Sequence, residues 1–142
     1  MNVLFQLLLG SSLLILCALV HIFVISRIIG NLQRNNHFSA QRSGRYQILA
    51  VAGLFMILLG SHTVQIYLWA IALWLLGALP GYEEPIYFTL VTYTALGYGD
   101  VVLTPQHRIF GAMISVTGLV MFGMTTAFLV GVFSRILQEK AT

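Results

Sequence analysis

The sequence predicts an all-α membrane protein, with three transmembrane helices and one short segment that enters the bilayer and returns. Three observations predict it. The 142 residues are 58% hydrophobic and 8% charged, where a soluble domain holds roughly 45–50% and about 25%. A soluble chain of this size has too little interior to hide so much apolar surface, and a disordered one needs the opposite composition. Three runs without a charge, 3–25, 46–79 and 109–134, hold 23, 34 and 26 residues, each above the roughly 20 that cross a bilayer as helix. Between the second and third runs lies an apolar stretch, 85–96, whose 12 residues are too few to cross. Cys17 is the only cysteine, which excludes a disulfide-stapled module. The basic residues are scattered, which excludes a nucleic-acid footprint.

The first element, residues 1–26, has no Lys or Arg before its apolar run and no small-x-small cleavage site after it. It therefore reads as a permanent helix rather than a signal peptide. Residues 27–45 read as a basic loop holding Arg27, Arg34, Arg42, Arg45 and His37. Arg135 and Lys140 follow the third run, and only Arg108 lies between the second and third. Six basic residues against one place the loop and the C-terminus in the cytoplasm and the N-terminus outside, in a multi-pass cell-membrane protein. Arginines at every third position inside a helix would mark a voltage sensor; these are read as lying in a Gly/Asn/Ser/Gln-rich loop, so no sensor is expected.

The second element, an outer helix over 46–79, carries Tyr46 and Trp74 as interfacial anchors about 42 Å apart. His62 then falls near the midplane, with Gln65 beside it, as a polar contact inside the membrane. Two readings of His62 stay open. A neutral imidazole bonds Ser11, Ser12 or Ser115 of a neighbouring helix, or protonation of the ring gates the molecule. His21, near the cytoplasmic end of the first helix, is expected to be solvated.

The third element is a short helix over 85–94. Pro85 suits its first turn, and Glu83 and Glu84 suit the positive end of its dipole; both acids also suit an outer mouth that concentrates cations. Such a helix descends roughly 15 Å at about 1.5 Å per residue, and five extended residues climb back roughly 16 Å. Extended backbone at that depth is tolerated only where protein buries it or water reaches it, so the geometry argues for a pore. The returning leg, 95–100, reads Ala95-Leu96-Gly97-Tyr98-Gly99-Asp100. Its alternating glycines permit successive carbonyls to face one side.

At these residues the chain resembles the potassium-channel pore family. The match runs Tyr87-Phe88-x-x-Val91-Thr92-x-Thr94-Ala95-Leu96-Gly97-Tyr98-Gly99-Asp100, nearest in style to the prokaryotic and two-pore-domain forms. It continues into an inner helix over 109–135, where Gly118-Leu119-Val120-Met121-Phe122-Gly123 is similar to the family's G-x-x-x-F-G pattern. The resemblance covers about 46–138 and leaves the first helix without a role. It implies a selectivity filter at Thr94, Ala95, Leu96, Gly97, Tyr98, Gly99 and Asp100, with K+ held by the backbone carbonyls of Ala95, Leu96, Gly97 and Tyr98. It also implies a homotetramer, since one chain supplies a quarter of a carbonyl ring, and passive K+ conduction in membrane lipid with no cofactor beyond the permeant ion. Gly118 corresponds to the family's gating hinge; packing is the other reading of Gly118, and the reading preferred for Gly111, Gly123 and Gly131.

The departures from the family pattern matter. Ala95 replaces a threonine whose hydroxyl contributes to the innermost ion site. Tyr87 stands where many members have a tryptophan that supports the filter aspartate, so its hydroxyl either bonds Asp100 or the ring packs on the outer helix. Because of Ala95, a non-conducting or regulatory subunit and a weakly selective cation channel stay open as alternatives. Enzyme chemistry is not expected: the acids are Glu83, Glu84, Asp100 and Glu139, and no two histidines have metal-ligand spacing with an acid or cysteine.

Overall fold

In the computed structural model the described residues are 2–35 and 43–141. His37 and Arg42 lie outside them, as does the side chain of Lys140. Four helices follow in chain order: α1 (Val3–Asn35), α2 (Gly44–Leu75), α3 (Glu83–Tyr93) and α4 (Arg108–Ala141). Three of them, α1, α2 and α4, are long and apolar enough to cross a membrane. No strand occurs among the described residues. The chain is an all-α membrane protein with α3 as a short fourth helix between the second and third spans.

The helices do not stop where the apolar runs stop. α1 continues to Asn35, so Arg27 and Arg34 lie on helix rather than in a loop starting at 27. The sequence there loses apolar residues but gains no breaker; Gly30 alone costs about 1 kcal/mol in a helix interior. In contrast, α2 ends at Leu75, short of 79, because a Schellman motif closes it. Gly77 takes a φ of 60°, its N–H bonds the Trp74 carbonyl at 3.0 Å, and the Ala78 N–H bonds that of Leu73 at 3.0 Å.

Two apolar clusters fix the packing. At one end Cys17, Trp69, Leu73, Tyr93, Phe110 and Ile114 join all four helices. At the other, Ile28, Leu54, Leu58 and Val132 join α1, α2 and α4. α1 and α4 therefore run parallel, and α2 runs against both. The buried amide of Gln6 ties the ends of α1 and α4 together: its Oε1 accepts from the backbone N–H groups of Ile109 (3.2 Å) and Phe110 (3.3 Å), first-turn donors that have no partner inside their own helix.

Candidate functional site: the re-entrant loop

The loop after α3 is built from the C-terminal turn of that helix. Glu83 and Glu84 occupy the first turn of α3, with Pro85 behind them. At the other end Thr94 turns its hydroxyl back onto the Leu90 and Val91 carbonyls, at 2.9 and 3.2 Å. The N–H groups of Ala95, Leu96 and Gly97 also point back, to the Thr92 carbonyl (3.0 Å) and twice to that of Val91 (3.0 and 3.3 Å). The carbonyls of residues 94–98 receive no hydrogen bond from any described residue. The loop thus spends its donors on the helix and keeps its acceptors.

The backbone alternates to achieve this. Ala95, Gly97 and Gly99 have φ of 57°, 56° and 78°, while the residues between them stay at negative φ. Left-handed positions two apart keep successive carbonyls from flipping to opposite sides as they do in a strand. Glycine takes that conformation freely; Ala95 takes it at a cost of roughly 1–3 kcal/mol. The sequence carries one signal for this that is easily passed over: Ala95 precedes Gly97 by the same interval that separates Gly97 from Gly99.

Residues 94–100 are exposed on the single chain, including Leu96 at 56% and Tyr98 at 69%. Behind the loop lies a cavity of about 180 Å³ bounded by Tyr87, Val91, Thr92, Gly97 and Asp100. At its outer edge the Tyr87 hydroxyl donates to Asp100 Oδ2 at 2.5 Å. This bond is the main reason the Asp100 carboxyl lies below its ordinary range; burial opposes it, and the N–H groups of Asp100 and Val101 add to it. The same bond, followed by burial and the charges of Asp100 and Tyr98, raises the Tyr87 hydroxyl.

α4 grips the root of the loop. Ser115 donates to the Thr92 carbonyl at 2.9 Å, and a Cβ built on Gly118 would collide with the Tyr93 carbonyl oxygen. Gly118 is therefore where α4 backbone meets α3 backbone. Gly111 faces the side chains of Leu103 and Phe88, while Gly123 and Gly131 face open space on the single chain.

Below the loop the polar residues converge. His62 does not bond Ser11, Ser12 or Ser115; its Nδ1 meets the Tyr93 hydroxyl at 3.0 Å and its Nε2 meets Thr125 Oγ1 at 2.9 Å. Ser12 and Ser115 bond the carbonyls of Leu9 and Thr92 instead. The expectation of a solvated His21 is overturned, for its ring is fully buried. Its Nε2 lies 3.0 Å from Thr125 Oγ1, and its Nδ1 lies 3.0 Å from Ser61 Oγ and 3.3 Å from Gln65 Nε2. The physical reason is the length of α1: with Arg27 on helix beyond it, His21 sits well inside the bundle, facing α2 and α4. Sequence reading missed Tyr93 and Thr125 altogether. Tyr93 stands between Thr92 and Thr94, and Thr125 beside Thr126, so nothing in the sequence singles either out, and only packing gives each its partner.

The fold and the loop define a class: a multi-pass membrane protein whose second and third spans are joined by a re-entrant helix and a carbonyl-bearing return. A family model described as "Ion channel" matches residues 54–135. The chain belongs to that ion channel family. Among curated proteins it is similar to the A-type voltage-gated potassium channel KCND3 of Rattus norvegicus and of Homo sapiens, 38% identical to each over 55 residues. That stretch is 38% of this chain and 8% of either relative's length. No solved structure matches the chain.

Proposed function

We propose that the protein is a potassium-selective channel that conducts K+ passively through a homotetrameric pore. The observation that carries this reading is the loop from 94 to 100, whose backbone is left-handed at residues 95, 97 and 99 and whose carbonyls at 94–98 receive no hydrogen bond from any described residue. Unbonded carbonyls at membrane depth are costly, and a dehydrated cation is the partner that removes the cost. One chain surrounds no ion, so symmetric copies are required. The exposed Leu96 and Tyr98 side chains are the surfaces such copies would cover. The similarity to potassium channels over 55 residues supports the choice of ion, and the prokaryotic or two-pore-domain style of the motif belongs to the same proposal.

The voltage dependence in the relatives' name is not carried over. The arginines among the described residues, Arg27, Arg34, Arg45, Arg108 and Arg135, lie seven or more positions apart, without the every-third spacing of a voltage sensor. Glu83 and Glu84 would face the outer mouth, with the N-terminus outside and the C-terminus cytoplasmic. The C-terminal end of α3, the negative end of its dipole, would face the ion.

Purified protein in liposomes, tested with potassium and with sodium gradients, decides the matter. Potassium flux well above sodium flux is expected, and Gly99→Ala is expected to abolish it because alanine resists the backbone angle there. Equal fluxes would establish a weakly selective cation channel. No flux in either gradient would establish a non-conducting subunit.

A further inference from the structure

Every helix sends a polar side chain to one buried point beneath the re-entrant loop: His21 from α1, Ser61, His62 and Gln65 from α2, Tyr93 from α3 and Thr125 from α4. Hydrogen-atom counting gives their bonds a direction. Tyr93 has one hydroxyl hydrogen and donates it to Gln65 Oε1 at 2.9 Å. Toward His62 it must therefore accept, so His62 carries its proton on Nδ1 and, as a neutral ring, leaves Nε2 bare. Thr125 then donates its single hydrogen to that Nε2, and accepts from His21 Nε2. The Nδ1 of His21 is consequently bare and accepts from Ser61 and from the Gln65 amide, whose Nε2 lies 3.3 Å away. Gln65 thus both opens and closes the circuit. The five residues Gln65, His21, Thr125, His62 and Tyr93 form a closed ring in which each donates to one neighbour and accepts from the other.

Such a ring is strong when complete, because aligned bonds polarise one another, and costly when cut, because a buried group loses its partner. Its position gives the strength a use. Tyr93 is the last residue of α3, one residue before the loop. The ring holds its hydroxyl while Gly118 of α4 abuts its carbonyl. His21, in contrast, lies outside the family-matched residues 54–135.

We infer that His21 is a positioning residue for the pore: through this ring α1 locks the C-terminal end of the pore helix and so sets the selectivity of the filter. The role gives α1 a part in the channel that the two-helix pore pattern leaves vacant. For its effect on flux the inference rests on the potassium-channel reading; the ring itself does not.

The test uses the full chain in liposomes with His37→Gln and His107→Gln, so that two of the four histidines remain. Nitrogen-15 magnetic resonance of the labelled imidazoles at pH 7 is expected to show two neutral rings of opposite tautomer, one protonated on Nε2 and one on Nδ1. Thr125→Val and Tyr93→Phe keep shape and cut the ring. Each is expected to collapse that pattern and to lower the potassium-to-sodium flux ratio at least fivefold. His21→Leu is expected to lower the ratio equally, and Thr125→Ser to restore it. Two rings of the same tautomer, or a charged ring, would overturn the ring. Selectivity like wild type in Thr125→Val, Tyr93→Phe and His21→Leu would overturn the positioning role. Wild-type liposomes that carry no potassium would overturn the channel reading and that role together, while the spectra still report on the ring.

Discussion

At the scale of single residues, Ala95 is both a strained position and a missing hydroxyl. Its φ of 57° suits glycine, and a β-branched side chain fits there worse than alanine. Ala95→Thr is therefore expected to lower stability relative to Ala95→Gly by about 1–2 kcal/mol per subunit, read from thermal unfolding in detergent. In the proposed channel the same threonine adds an oxygen at the inner end of the filter, and block by internal barium should strengthen, with conductance changed more than selectivity. Equal stability and equal block in the two variants would remove any meaning from this position. Tyr87 offers a second test. The Asp100 pKa is lower in the folded protein than in the unfolded chain. Their bond therefore stabilises the loop above the ordinary carboxylate range, and that contribution is lost as pH falls through the folded value. Tyr87→Phe should reduce potassium flux several-fold at pH 7. It should also move the acid midpoint of the remaining flux upward, toward an ordinary aspartate. A midpoint that does not move would separate Tyr87 from Asp100.

At the scale of elements, α4 presses on α3 at one backbone-to-backbone contact. Gly118→Ala would push a methyl group into the Tyr93 carbonyl, an overpacking that costs roughly 1–3 kcal/mol. Gly111→Ala meets the tip of the Leu103 side chain, which can rotate away. Gly118→Ala should therefore lower both thermal stability and open probability, and Gly111→Ala should change each much less. If Gly118→Ala alters opening with stability unchanged, Gly118 acts as a hinge rather than a contact. Helix ends follow a similar local logic. α2 stops because Gly77 can be left-handed, and α1 goes on past its apolar run because nothing in 26–35 breaks a helix.

At the scale of the whole molecule, α1 and α4 run parallel and α2 antiparallel, which puts the C-terminal end of α1 and the N-terminal end of α2 on one side and α3 with its loop toward the other. Single cysteines in a Cys17→Ser background at positions 45 and 83 should be labelled by an impermeant reagent from opposite faces, 83 from outside. Labelling of both from one face would overturn the topology. The fold class, the three spans and the re-entrant segment were legible in the sequence, because charge-free length is a one-dimensional property that the bilayer reads directly. The left-handed backbone at Gly97 and Gly99 was legible too, because glycines two apart permit it. The partners of His62, the burial of His21, and the importance of Tyr93 and Thr125 were not. A lone polar residue in an apolar helix shows that it needs a hydrogen-bond partner, but not which one. That choice depends on how four helices are rotated and how far each has slid along its neighbours. Those relations come from side-chain packing between residues up to 104 positions apart, so only the tertiary structure could decide them.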